Sequence, residues 1–364
     1  MTMAETPNSC YNCNNMKHSS SIWQTAIDMN ASDIHVVTGQ APRLRINGVL
    51  DPIHNADPLS FAEVKKLMGD FLSEEKYALF QKEGDTDCSY MHNDGTRFRI
   101  NCHLVTGQPA FAARLVPQII PTPEEILLPG VVMNLCRSLD GLVLFTGPTG
   151  AGKSTSLAAI LNTINHERSI NILTLEDPIE FIFESKKALV SQRELGMDFQ
   201  TFPQGLKHVL RQDPNIVMVG EMRDLESIGL ALTLAETGHL VLATLHTPNA
   251  MQTLDRIIDA FPPHQQTQVR LQLALSLRAI VAQRLVPKKG GGRIANREIL
   301  IRTPAVSNII REDRFIELAT VMQTSQNIGM LTFEKDIERL IELDLVNATE
   351  VEFLMNRAKP YDLG

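Results

Sequence analysis

Apolar residues recur along this chain in two rhythms, and the change of rhythm divides it. Near the start, Ile22, Trp23, Ala26 and Ile27 form a helical stripe, and residues 32–37 read as a strand. Residues 43–48 alternate polar and apolar and turn at Asn47-Gly48 into Val49 and Leu50, a hairpin signal. Helices are expected over 61–71 and 74–80, and strands over 85–90, 97–104 and 110–116. This half reads as a small α+β domain. Pro117, Pro121, Pro123 and Pro129 then punctuate a stretch that reads as a linker. Beyond it, short apolar runs at 142–145, 170–175, 216–219 and 240–245 are mostly separated by helical patterns. That alternation predicts a parallel sheet covered by helices. Asp224 is placed to cap a helix running to Glu236, and Gly238 to end it. Residues 287–293 carry three glycines and three basic residues and read as a flexible loop, and the pattern from Pro304 onward is helical. The expected divisions are a disordered tail at 1–20, an α+β domain at 21–117, a linker at 118–133, an α/β core at 134–303 and a helical region at 304–364.

Composition narrows the function. With 364 residues and 43% hydrophobic content, the chain has material for two packed domains. Its net charge of −8 and 5% aromatic content argue against a nucleic-acid binder, so no nucleic-acid partner is expected. No apolar run approaches the roughly 18 residues of a membrane span, and residues 1–20 lack the apolar centre of a signal peptide. A cytoplasmic protein is expected, reaching a membrane only through partners. Cys10 and Cys13 form a Cys-x-x-Cys pair, but Cys88, Cys102 and Cys136 supply no second pair for zinc. The pair reads as two thiols in a loose tail.

One stretch carries the chemistry. Gly147-Pro148-Thr149-Gly150-Ala151-Gly152-Lys153-Ser154-Thr155 is a complete phosphate-loop pattern, preceded by an apolar strand and followed by a helix with Leu157, Ile160, Leu161 and Ile164 on one face. Gly147, Gly150 and Gly152 let the backbone bend and approach phosphate. Successive N–H groups and the helix N-terminus then face the anion. Lys153 supplies a positive charge at the β- and γ-phosphates of ATP, and the Ser154 hydroxyl is a natural Mg²⁺ ligand.

Ligands of an open parallel sheet sit at the carboxyl ends of its strands. Glu176 and Asp177 follow one predicted strand, Gly220 and Glu221 a second, and His246 a third. An ATPase needs one acid in the Mg²⁺ shell and another to orient or deprotonate water. Glu176 is assigned to the water and Glu221 to the metal shell, directly or through water, although the spacing also permits the reverse. His246 is placed to hydrogen-bond the γ-phosphate. His239 sits seven residues earlier on the same strand, or about 20 Å away, and is read as structural or as facing a neighbouring subunit. Arg97 and Arg99 flank Phe98 on a strand and leave the same face, and Arg114 lies on another strand of the first domain. They either solvate a surface or reach a nucleotide across an interface.

Taken together, the chain resembles the secretion-ATPase superfamily and, within it, the PilT-type retraction motors of type IV pili. Residues 147–154, Leu175-Glu176-Asp177-Pro178-Ile179-Glu180, Val219-Gly220-Glu221-Met222-Arg223-Asp224 and residues 237–247 are similar to its Walker A, aspartate box, Walker B and histidine box. Ser32-Asp33-Ile34-His35 and Arg97-Phe98-Arg99-Ile100-Asn101 match its first domain. The resemblance implies a PAS-like first domain, a RecA-like parallel-sheet ATPase domain and a homohexamer with ATP between the domains. It further implies first-domain arginines completing the site, and Glu176 orienting the water. The partners implied are an inner-membrane pilus platform protein and, as a further candidate, a paralogous retraction ATPase. The expected work is pilus disassembly and twitching motility. No cysteine follows Cys136 and the first domain is short, both of which resemble the retraction branch rather than assembly motors. One stretch departs from that branch: Ala305-Val306-Ser307-Asn308-Ile309-Ile310-Arg311 has Ser307 where an arginine is typical. A PilU-like accessory subunit and an ATPase of a related secretion system therefore remain alternatives.

Overall fold

The computed structural model describes residues 20–46, 48–116 and 119–349. The tail at 1–19 with Cys10 and Cys13, Asn47 of the expected hairpin turn, and residues 350–364 lie outside the described residues. The chain forms two compact units that divide at residues 118 and 119.

The first unit runs α1 (Ser20–Asp28), β1 (Asp33–Val37), β2 (Arg43–Ile46), β3 (Val49–Pro52), α2 (Phe61–Gly69), α3 (Glu74–Glu83), β4 (Asp85–Met91), β5 (Arg97–Val105) and β6 (Gln108–Val116). The strands form one antiparallel sheet in the order β3-β2-β1-β6-β5-β4. Ile46 pairs with Val49 and Gly48 has φ +87°, the two-residue turn its sequence asks for. Ser60 and Glu63 close a capping box on α2, and Gly84 ends α3 in the left-handed region. Alternating residues of β5, Phe98, Ile100 and Cys102, point inward. Around Trp23, the rings of Phe71, Tyr90, Phe98 and Phe111 lie with centroids 4.9–5.8 Å away. This aromatic cluster is the core of the unit.

The second unit runs α4 (Gly130–Leu135), β7 (Gly141–Thr146), α5 (Lys153–Glu167), β8 (Asn171–Glu176), β9 (Leu189–Glu194), α6 (Phe202–Val209), β10 (Ile216–Val219), α7 (Leu225–Glu236), β11 (Leu240–Leu245), α8 (Ala250–Asp259), α9 (Pro263–Ser276), β12 (Leu277–Pro287), β13 (Arg293–Ile301), α10 (Pro304–Glu312), α11 (Leu318–Thr324) and α12 (Phe333–Glu342). The seven strands are ordered β13-β12-β7-β11-β10-β8-β9, all pairs parallel except β12 with β13. Every residue of β7, β10 and β11 is buried, as helices on both faces require. This is the RecA-like parallel sheet. No helix among the described residues is long and apolar enough to cross a membrane.

The four apolar runs are central strands, but the sheet has three more. β12 and β13 form an antiparallel hairpin around the glycine-rich stretch, and β9 forms the far edge. The proline-marked stretch is part of the second unit from residue 119 onward: Leu128, Val132 and Met133 are buried in its core. Asp224 caps α7 as expected, accepting from the Ser227 N–H at 2.8 Å.

Trp23 is the chain's single tryptophan and reports on the first unit's core. Replacing Phe98, fully buried beside it, with alanine leaves a cavity that costs about 3–5 kcal/mol. Denaturant titration followed by Trp23 fluorescence should show that loss; an unshifted midpoint would mean the cluster does not stabilise the unit.

Candidate active site

The phosphate loop joins β7 to α5, and its shape is dictated by β12 beneath it. Gly147 has φ +139°, and a Cβ there would stand 2.1 Å from the Gln283 carbonyl oxygen. No side chain fits. Gly152 has φ +83° and its Cβ would lie 2.9 Å from Gln283 Nε2. The buried Gln283 side chain donates to the Ala151 carbonyl at 2.6 Å and accepts from Ser156 Oγ at 2.9 Å. Lys153, Ser154 and Thr155 open α5, with backbone N–H groups free of helical partners. Lys153 is buried and its amine donates to the carbonyls of Gly147 and Pro148 at 2.7 and 3.1 Å. Burial lowers the pKa of this amine, and Glu180 and Glu221 oppose the shift.

The sheet order sets β7, β11, β10 and β8 side by side, so the loop, His246, Glu221 and Glu176 share one edge. The 220–222 segment is fixed from both sides. The Gly220 N–H donates to the Leu175 carbonyl at 2.7 Å, the Thr244 hydroxyl donates to the Gly220 carbonyl, and the Met222 N–H donates to the Thr244 carbonyl at 3.0 Å. A Cβ at Gly220 would be only 3.0 Å from the Leu175 carbonyl oxygen. Glu221 is buried; one carboxylate oxygen meets Arg223 and the other His246 Nε2, at 3.2 Å. His239 lies at the other end of β11, where its Nδ1 is 3.1 Å from the Leu234 carbonyl oxygen and 3.2 Å from Thr237 Oγ1. Its contacts there are structural.

Glu176 ends β8 and is 7% exposed. Burial pushes its carboxyl up to about 7, against the opposing hydrogen bonds from Thr174 Oγ1 at 2.7 Å and Gln192 Nε2 at 3.1 Å. That is where a general base at neutral pH works best. Gln192 also donates to the Phe181 carbonyl and accepts from the Phe183 N–H, so its amide holds the loop after Glu176 as well. The sequence reading missed Thr174, Gln192, Arg223 and Gln283. Thr174 was within reach, since it lies two residues before Glu176 and on the same face. Gln192 and Gln283 sit on strands not recognised as strands.

Arg97, Arg99 and Arg114 belong to the first unit. Arg97 and Arg99 flank the buried Phe98. Arg99 pairs directly with Arg114, Arg114 with Asp33, and Asp33 with Arg45. Asp33 accepts from Arg114 at 2.9 Å and lies 3.5 Å from Arg45. Arg114 and Arg45 thus share one carboxylate, Arg45 also donates to the Gly48 carbonyl at 3.1 Å, and Arg97 donates to Ser89 Oγ at 3.2 Å. Ser307, where the retraction branch typically has arginine, is buried and donates to the Ala274 carbonyl at 3.0 Å.

With this geometry in place, residues 131–338 match the type II/IV secretion system protein family. The type IV pilus retraction ATPase PilT of Pseudomonas aeruginosa is 43% identical over 317 residues, 87% of this chain and 92% of that one. The twitching motility protein of Neisseria gonorrhoeae is 42% identical over 306 residues, 84% and 82% of the two chains. The crystal structure of the pilus retraction motor PilT with bound ADP superposes with a TM-score of 0.87 at 39% identity, covering 94% of this chain and 97% of that one.

The raised carboxyl makes a signed prediction. The folded chain binds the Glu176 proton more tightly than the unfolded chain, so stability is lost as pH rises through about 7. Glu176→Gln removes that loss. The variant should be more stable than wild type by about 3 kcal/mol at pH 8, with the gap closing towards pH 5. Parallel stability curves from pH 5 to 8 would show that Glu176 is not held above its usual range.

Proposed function

The chain belongs to the type II/IV secretion system protein family, in its PilT-type branch, and from that premise we propose that it is an ATPase motor that powers type IV pilus retraction. The observation that carries the mechanism is a phosphate loop on the same sheet edge as a buried carboxyl poised near neutrality. Backbone N–H groups of Gly150 to Ser154 bind the phosphates, and Lys153 exchanges its carbonyl partners for phosphate oxygens. Glu176 orients the attacking water and takes its proton, while Thr174 and Gln192 hold the carboxylate in line. The contact of His246 with Glu221 supports a role for this imidazole in following the γ-phosphate.

Ser154 and Glu221 present the hard oxygen donors that Mg²⁺ prefers. Among the described residues no group of three or more His, Cys, Asp or Glu side chains is arranged to hold a metal alone, so the cation depends on phosphate oxygens. When bound it neutralises charge on the β- and γ-phosphates. The same reading gives Arg97, Arg99 and Arg114 of the first unit the role of completing a nucleotide site and stabilising the charge that develops on the transferred phosphate. A homohexamer that acts on an inner-membrane platform protein from the cytoplasmic side is the assembly this reading entails.

Glu176→Gln should bind ATP within a few-fold of wild type while turnover falls on the order of 10²-fold or more, and Lys153→Ala should abolish turnover. Arg99→Ala or Arg114→Ala should lower turnover with the fold intact. Normal hydrolysis by Glu176→Gln would reassign the base. Wild-type turnover no higher than that of Lys153→Ala would instead make the chain an accessory subunit of another motor. Deleting the gene should leave cells with surface pili but without twitching; unimpaired twitching would remove the chain from retraction.

A further inference from the structure

Gln283 stands directly beneath the phosphate loop, and its cross-strand partner on β13 is Arg297. Both side chains are buried, Arg297 completely. Arg297 Nε donates to Gln283 Oε1 at 3.3 Å, the oxygen that also accepts from Ser156 in the first turns of α5. The two remaining nitrogens of the guanidinium reach elsewhere. Nη1 donates to the Leu127 carbonyl at 3.1 Å and Nη2 to the Ile126 carbonyl at 3.0 Å. No carboxylate bonds to this side chain in the described residues: Asp336 bonds the backbone N–H of Arg297 at 2.7 Å and the side chain of Arg339. A buried cation whose hydrogen-bond acceptors are all neutral, with the Asp336 carboxylate acting on it only through space, is expensive compared with an apolar residue of like size. What it obtains is a junction of three segments that lie far apart in sequence.

The turn at the far end is under strain. Leu127 has φ +48°, a left-handed conformation that costs a leucine about 1–2 kcal/mol. Its side chain packs against the apolar cluster that Val286 and Ile294 of the β12–β13 hairpin form with Ile337 and Leu340 of α12. The strained backbone is thus held by Arg297 and the side chain by the elements on either side of it. The turn lies a few residues inside the second unit, which begins at residue 119.

We infer that Gln283 and Arg297 are positioning residues of the nucleotide site, forming a strut through which the state of the phosphate loop sets that of the turn at Ile126 and Leu127. The loop cannot shift without displacing Gln283, because Gly147 and Gly152 lie against its backbone and side chain. Gln283 in turn cannot shift without moving the guanidinium that restrains the turn. This inference rests on the reading of residues 147–155 as a nucleotide site.

Hydrogen exchange on the full-length chain, with and without saturating ADP, tests it. Wild type should gain protection at 147–155 and also change at 120–130. In Arg297→Met the first response should persist and the second disappear. Gln283→Met, which removes the bonds to both Ala151 and Arg297, should also weaken ADP binding about tenfold. Should Arg297→Met not fold, Arg297→Lys keeps the charge but not the two-carbonyl grip, and the same loss of response at 120–130 is expected. Protection at 147–155 with no change at 120–130 in wild type, or an unaltered response in the Arg297 variant, would overturn the strut alone. No protection at 147–155 would overturn the nucleotide reading and the strut together.

Discussion

The site depends on a contact between two backbones: Gly147 against the carbonyl oxygen of Gln283, at a separation that leaves no room for a Cβ. Because the loop rests on β12, its curvature is imposed by the sheet rather than chosen by the loop. The backbone N–H groups at the start of α5, which the proposed function turns towards phosphate, are thereby held in one arrangement. Preorganisation of this kind spares the ordering cost that a mobile loop would incur on binding. The same contact explains why a glycine-rich segment, free in isolation to adopt many shapes, adopts one here.

The electrostatics of the edge complement that geometry. Burial moves Lys153 and Glu176 in opposite directions, the amine down and the carboxyl up, so each is nearer to changing its proton than it would be in water. Such pairs of displaced groups characterise sites that move protons beside charged substrates. Glu221 differs, because its two oxygens already meet Arg223 and His246. The two acids at the ends of neighbouring strands are thus set apart by their surroundings, one raised by burial and one held by Arg223 and His246. This is the physical ground for choosing between assignments that spacing alone left open.

Much of this was legible in the residue order. The phosphate loop, Glu176, Glu221 and His246 each follow an apolar run, and wholly buried parallel strands announce themselves in that way. The outer strands did not. β9 reads Leu189 to Glu194 with polar residues at most positions, as an edge strand can. β12 follows α9 without an intervening turn, and Leu277 to Val281 looks like more of the same apolar helix. With those strands unrecognised, Gln192 and Gln283 had no visible position, and the supports of the site stayed hidden although its chemistry did not. Arg297 was hidden for another reason: a fully buried arginine defies the ordinary preference of charge for water.

The central claim is that this edge holds a nucleoside triphosphate with Glu176 beside the water that attacks it. A cryo-EM or crystal structure of the chain with Mg²⁺ and a non-hydrolysable ATP analogue tests it most directly. The phosphates should lie on the amides of residues 150–154, with Lys153 transferred from the Gly147 and Pro148 carbonyls to phosphate oxygens. A water bound to Glu176 should stand in line with the γ-phosphorus. An analogue seated elsewhere, or a Glu176 carboxylate beyond reach of any water at the γ-phosphate, would contradict it.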